Sequence, residues 1–141
     1  MTTTTLLLDN SAWVRLSILD DTRAAEIAAA FEAGRIATCL PFLLEAGYSA
    51  RNLRERSELF ELLSALPRFP IDHDVERRAE DAQHQLTRVG HHRLPPVDLL
   101  VAALADRHGL GVLHYDHDYD VIAERTDLSY ESVWVAPRGS I

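Results

Sequence analysis

Thr5-Leu6-Leu7-Leu8-Asp9-Asn10-Ser11-Ala12-Trp13 decides how the rest of the chain is read. Its leucines form a short apolar run without alternation, the pattern of a strand buried on both faces. Asp9, Asn10 and Ser11 are all good helix-capping residues, so a helix is predicted from Ala12 to Leu19. A strand running straight into a helix opens a β–α unit, and the same alternation recurs downstream. Arg35-Ile36-Ala37-Thr38-Cys39 is a second strand candidate, followed by a helix with Pro41 in its first turn. A mostly apolar helix from Val97 to His108, ended by Gly109, leads to a strand at Val112–His114. A short helix at Tyr119–Glu124 and a last strand at Ser132–Val135 complete the series.

The intervening segments fit this pattern. Asp20-Asp21-Thr22 caps a helix from Ala24 to Ala33, which Gly34 ends. Glu55 to Leu66 is amphipathic and stops before Pro67, and Phe69-Pro70-Ile71 reads as a further short strand. Asp72-His73-Asp74 opens a helix from Val75 to about Val89, and Gly90 to Pro96 is a loop by composition. Short apolar strands alternating with helices indicate an α/β fold around a short, mainly parallel central sheet. With no internal repeat and no linker, residues 1–141 read as one domain whose tail, Pro137 to Ile141, is flexible.

An apolar fraction of 47% and a charged fraction of 26% are those of an ordinary globular protein. No apolar stretch approaches the roughly 20 residues of a membrane span. The N-terminus Met1-Thr2-Thr3-Thr4-Thr5 has no basic region, so no signal peptide is expected. Cys39 is the only cysteine, which excludes an intrachain disulfide and makes a reducing cytoplasm the expected setting. Net charge is −8, which counts against broad non-specific nucleic-acid binding. All 14 basic residues are arginine; coding bias explains this, and so does phosphate recognition by a planar guanidinium fork.

Four acids interrupt this apolar framework: Asp9 after the first strand, Glu45 within Phe42-Leu43-Leu44-Glu45-Ala46, Asp98 between Val97 and Leu99, and Asp116 after Leu113-His114-Tyr115. A carboxylate in apolar surroundings is costly unless a cation compensates it. In open parallel sheets ligands bind beyond the carboxyl ends of the strands, where Asp9 and Asp116 both lie. Asp98 and Glu45 each sit in an early turn of a helix that starts from the same side. All four can therefore point into one crevice. Oxygen-only ligands suit Mg²⁺ or Mn²⁺, and carboxylates holding two such ions suit in-line phosphodiester cleavage. Each acid also has a plainer reading: Asp9 as a helix cap, Asp98 as a helix-dipole partner, Asp116 as a turn residue, Glu45 at the edge of a buried face.

The ordered set resembles the PIN-domain nucleases, and within them the VapC-type toxins of bacterial toxin–antitoxin pairs. The resemblance is carried by Leu7-Leu8-Asp9-Asn10-Ser11-Ala12-Trp13, by Pro41-Phe42-Leu43-Leu44-Glu45, by Pro96-Val97-Asp98-Leu99-Leu100-Val101-Ala102 and by Leu113-His114-Tyr115-Asp116-His117-Asp118-Tyr119. It implies a three-layer sandwich of helices about the sheet. It also implies an Mg²⁺-dependent endoribonuclease that cuts structured RNA, with Mn²⁺ as a substitute ion. Asp9, Glu45, Asp98 and Asp116 would be the catalytic, metal-binding acids. Asp118 matches a further acid of the family, and Ser11 a small hydroxyl residue that bonds a carboxylate or a metal-bound water. His114 departs from the pattern, replacing a family Thr or Ser as a hydrogen-bond donor. The resemblance further implies a homodimer, neutralisation by a cognate VapB-type antitoxin, and contact with DNA only through that antitoxin.

Other signals are weaker. Seven histidines, including His91-His92 and the flanking His114 and His117, lack the Cys partners and His-x-x-x-His spacing of a structural zinc site. Arg93 and Arg77-Arg78 are candidates for phosphate contact or for solvated helix faces. Trp13, Tyr48 and Tyr119 are candidates for base stacking, with core packing the stronger reading for Trp13. Leu59-Leu62-Leu63-Leu66 has helical spacing and reads as core, with part of that face available to a partner. Haloacid-dehalogenase-type phosphatases also place an Asp after strand one. They need a second Asp two residues on, where this chain has Ser11, and a lysine, which it lacks. A non-catalytic PIN-like module that binds RNA or a partner is the remaining alternative.

Overall fold

The computed structural model of the chain describes residues 4–91 and 93–141. Met1 to Thr3 and His92, the second member of the histidine pair, lie outside the described residues. Four strands, β1 (Leu6–Leu8), β2 (Ile36–Ala37), β3 (Gly111–His114) and β4 (Glu131–Trp134), form one sheet in the order β2-β1-β3-β4. Every pairing is parallel, with Leu6 opposite both Ile36 and Gly111, and His114 opposite Trp134. The helices are α1 (Asn10–Trp13), α2 (Asp21–Glu32), α3 (Leu40–Tyr48), α4 (Leu53–Leu63), α5 (His73–Arg88), α6 (Pro96–His108) and α7 (Asp118–Arg125).

The sheet is the centre of the core. Leu6, Leu7 and Leu8 are at most 1% exposed, as an uninterrupted apolar run in a parallel sheet requires. Gly111 lets the strands approach: a Cβ there would meet Leu6 Cδ2 at 2.6 Å and the Glu131 carbonyl oxygen at 2.9 Å. α6 is buried along Leu99 and Val101 to Ala105, and it ends at Gly109 in the left-handed conformation (φ 66°). That turn delivers the chain directly into β3, so the first turn of α6 and the end of β3 can serve one site.

Three expectations are corrected. The helix expected over Ala12–Leu19 stops at Trp13, and a separate 3₁₀ turn covers Leu16–Ile18. Ser17 and the half-exposed Arg15, Leu16 and Ile18 give that segment little apolar face to hold a longer helix against the core. Phe69-Pro70-Ile71 is not a strand; the chain touches the sheet edge only through an isolated bridge between Thr38 and Arg68. Pro70 has no N–H to extend it. The tail is held rather than loose: the Tyr115 hydroxyl donates to the Ile141 carbonyl oxygen at 3.0 Å and lies 3.2 Å from the Ile141 nitrogen.

Candidate metal centre and active site

Asp9 occupies the turn from β1 into α1. It is the N-cap of α1, accepting from the Ser11 backbone N–H at 3.0 Å and the Ser11 hydroxyl at 2.5 Å. The capping reading and the site reading are therefore compatible, because one carboxylate has room for several donors. Ser11 also accepts from the Tyr115 backbone N–H at 2.9 Å, which ties α1 to the end of β3. The other Asp9 oxygen, Oδ1, accepts from the Tyr119 hydroxyl at 2.7 Å. That hydroxyl lies 3.3 Å from Asp98 Oδ1, so one phenol links the two most buried carboxylates.

Asp98 is in the first turn of α6, only 7% exposed, and its Oδ2 is buried without a hydrogen-bond partner. Such an atom costs more than an exposed carboxylate oxygen unless something of positive charge faces it. Burial, followed by the charges of Asp9, Asp116 and Asp118, pushes the Asp98 carboxyl up to about 7 despite the Tyr119 hydrogen bond. Near it stand Asp116, on the loop after β3, and Asp118, the first residue of α7. Oxygens of Asp98, Asp116 and Asp118 all lie within 4.8 Å of one another. Asp118 also donates its backbone N–H to Asp116 Oδ1 at 2.9 Å, which sets the two rim acids side by side. Its carboxyl is raised by partial burial and by Asp116, with His117 pulling the other way. Glu45, on α3, is half-buried and raised by that burial and by Asp9.

The structure groups the expected acids differently from the sequence reading. Asp118, expected to support the others, belongs to the tightest carboxylate group, whereas Asp9 and Glu45 stand outside that group. Tyr119 is fully buried beneath the acids and unavailable for base stacking. Its hydrogen-bonding role was missed, since nothing in a Tyr after an Asp distinguishes a buried hydroxyl from an exposed ring. Trp13 packs edge-on against Phe42, as expected of a core residue, while Tyr48 is 91% exposed. Arg77 and Arg78 are engaged by Asp74, and Arg78 also by Asp106 at 2.6 Å. His91 and Arg93 are exposed. Cys39 is buried, and burial pushes its thiol up to about 11, which removes it as a nucleophile.

His114 accepts rather than donates on the site side. The Asp116 backbone N–H donates to its Nδ1 at 3.1 Å, and its Nε2 lies 2.7 Å from the Ser132 hydroxyl. The expectation that His114 substitutes as a donor holds only away from the acids. Burial lowers the ring to about 4, so it is neutral near pH 7.

An all-oxygen donor set around a partnerless buried carboxylate oxygen fits a hard divalent cation. The PIN-domain family model matches residues 6–125. The chain belongs to the PIN-domain family, among the VapC ribonucleases. It is 41% identical over 135 residues to Ribonuclease VapC51 of Mycobacterium tuberculosis, covering 96% of each chain. Among solved structures, the DNA-bound VapBC of Salmonella typhimurium matches with a TM-score of 0.74 at 18% identity, over 95% of this chain and 100% of that one. VapBC-5 of M. tuberculosis, a member of the VapBC family of toxin-antitoxin systems, matches with a TM-score of 0.63 at 22% identity, over 91% and 98%.

Proposed function

We propose that this PIN-domain chain, acting as one unit over residues 1–141, is an Mg²⁺-dependent endoribonuclease and the toxin of a toxin–antitoxin pair. The observation that carries this is the Asp98 carboxylate, whose Oδ2 is buried without a partner and which groups within 4.8 Å with the carboxylates of Asp116 and Asp118. Asp98, Asp116 and Asp118 would hold the first divalent ion, with Asp9 and Glu45 widening the acidic wall toward a second. Bound there, Mg²⁺ or Mn²⁺ supplies Lewis-acid activation of water and charge stabilisation of the leaving oxygen, in the manner of two-metal phosphodiester hydrolysis.

The chain's own groups do the positioning. Ser11 and Tyr119 fix both oxygens of Asp9. The Asp118 N–H fixes one oxygen of Asp116. The rigid start of α6 presents Asp98 between them. A site this acidic repels free RNA phosphates until cations load it, so RNA binding there would depend on the bound metal. Structured cellular RNA is the substrate class we assign, with cytoplasmic action, a homodimeric assembly, and a VapB-type antitoxin that neutralises the site and alone meets operator DNA. The similarity to VapC51, a ribonuclease, and to VapBC-5, a member of a toxin–antitoxin family, supports this assignment. The intact acid group disfavours a non-catalytic binding module.

The test is cleavage of a structured RNA with Mg²⁺ or Mn²⁺, with chelator, and with Asp9→Ala and Asp98→Ala. Cleavage that needs the ion and is lost in both variants supports the reading. Equal cleavage in chelator, or full activity of both variants, overturns it.

A further inference from the structure

Behind the rim acids runs a chain of hydrogen bonds that the metal site does not use. Asp120 Oδ1 accepts from the Ser132 hydroxyl at 2.7 Å, and Asp120 Oδ2 accepts from the Trp134 indole N–H at 3.0 Å. Ser132 in turn lies 2.7 Å from His114 Nε2, and His114 Nδ1 takes the Asp116 backbone N–H at 3.1 Å. The direction of every proton follows. Because Nδ1 accepts from an amide N–H, a neutral ring must carry its proton on Nε2. That N–H donates to Ser132, and Ser132, having accepted it, donates its own proton to Asp120. The Asp120 carboxylate, which accepts from both the Ser132 hydroxyl and the Trp134 indole, is the acceptor this chain needs at its far end.

The ring is also clamped on its faces. His114 lies 4.9 Å from the Tyr119 ring and 5.1 Å from the Trp134 indole, centroid to centroid. It is fully buried, and it sits opposite Trp134 in the parallel register of β3 and β4. The β3–α7 connection that carries Asp116 and leads into Asp118 is thus anchored through one imidazole tautomer to the outermost strand of the sheet.

We infer that His114, Ser132 and Asp120 form a positioning relay that fixes the backbone at Asp116 and so aims the Asp116 and Asp118 carboxylates at the cation. Groups that orient metal ligands from behind commonly contribute about 10- to 100-fold in metal affinity or activity. The inference rests on the metal-nuclease reading above, and the experiment separates the two.

Mn²⁺ affinity is measured calorimetrically for the full-length protein, for Ser132→Ala, Ser132→Thr and Asp120→Asn, and for Asp98→Asn as the control. Nitrogen-15 spectra of the histidine rings report the His114 tautomer, and circular dichroism reports folding. The expected result is a loss of about tenfold in Mn²⁺ affinity in Ser132→Ala and Asp120→Asn, with a mixed His114 tautomer, an unchanged fold and recovery in Ser132→Thr. In cleavage assays the loss falls on kcat rather than on KM for RNA. Should wild type bind Mn²⁺ no better than Asp98→Asn, the metal site itself is wrong, and the relay with it. Should wild type bind well and Ser132→Ala bind equally well, the relay is overturned and the metal reading survives. Should Ser132→Ala unfold, Asp120→Asn carries the same comparison.

Discussion

Asp9 and Asp98 stand on one side of the acid group at 6% and 7% exposure, whereas Asp116 and Asp118 on the other side are only half-buried. The buried pair sits on rigid starts of structure, the β1–α1 turn and the first turn of α6. Its difficulty is charge: two carboxylates share one phenol, and Asp98 Oδ2 has no partner. The rim pair sits where the loop after β3 enters α7, in contact with solvent, and its difficulty is geometry. There the backbone is held by His114 and by the Asp118 N–H to Asp116. The same residue type is thus restrained in opposite ways. One side carries an uncompensated electrostatic cost; the other has its geometry fixed by backbone hydrogen bonds.

The largest effect should come from the buried side. Asp98→Asn keeps the shape and removes the charge that only a cation can compensate. A bound divalent ion contributes several kcal/mol of charge stabilisation, and each tenfold in rate is about 1.4 kcal/mol, so RNA cleavage should fall about a thousandfold. Single-turnover cleavage at saturating Mg²⁺ measures it. A loss below tenfold would mean that the rim acids alone hold the ion, and the contrast between the two sides would collapse.

Next is the pH dependence of the metal-free protein. Asp98 has a folded-state pKa of about 7 against an ordinary value of 3.8, raised by burial and then by Asp9, Asp116 and Asp118. The folded state therefore holds a proton that the unfolded chain releases, and stability from this group falls as pH rises from about 4 to about 7. Allowing for residual solvent screening, the fall amounts to roughly 2–4 kcal/mol. Urea unfolding in chelator across that window should show the slope, and Asp98→Asn should flatten it. Excess Mg²⁺ at pH 8 should restore the loss, since ligand binding to the folded state alone stabilises it. A metal-free protein equally stable at pH 5 and pH 8 contradicts the buried side's dependence on a cation.

Tyr119→Phe sharpens the same point at a smaller scale. The ring would keep its packing against His114, and only the hydroxyl between Asp9 and Asp98 would go. Losing a hydrogen bond to a charged group costs about 1–3 kcal/mol. The metal-free variant should be less stable by that amount, with the difference narrowing once Mg²⁺ is present. Equal destabilisation with and without metal would assign the hydroxyl to packing rather than to charge.

What could be read from the sequence divides along the same line. The apolar run Leu6–Leu8, the capping cluster at Asp9–Ser11 and the Gly109 stop are local signals. They placed β1, α1 and the α6–β3 turn, and with them the buried acids. The expectations that failed depend on distant contacts. Whether Leu16–Ile18 continues a helix depends on what its face can bury, and whether the tail is loose depends on Tyr115, 26 positions before Ile141. The rim's support is similarly non-local: Ser132 and Trp134 reach Asp120 and His114 only because β3 and β4 run parallel in a register that no spacing along the chain reveals. Tyr119 belongs here too, since its hydroxyl reaches Asp9 across 110 positions.

The smallest effect tests whether the rim's support extends to the tail. Tyr115 lies between His114 and Asp116. Its ring sits 4.4 Å below the Arg15 guanidinium and edge-on to Trp134 at 5.5 Å, and its hydroxyl holds Ile141. The Tyr115 backbone, by contrast, is tied to Ser11 independently of the ring's hydroxyl. Tyr115→Phe should therefore free the tail without moving the rim. An exposed hydrogen bond of this kind contributes about 0.5–1.5 kcal/mol at most, so the midpoint of unfolding should move little. Amide exchange should quicken at Ser140 and Ile141 while exchange at Asp116 and Asp118 stays as in wild type, and Mn²⁺ affinity should hold within about twofold. Faster exchange at Asp116 together with weaker Mn²⁺ binding would instead make the docked tail part of what aims the rim acids, and the geometric restraint on that side would then begin at Ile141 rather than at Asp120.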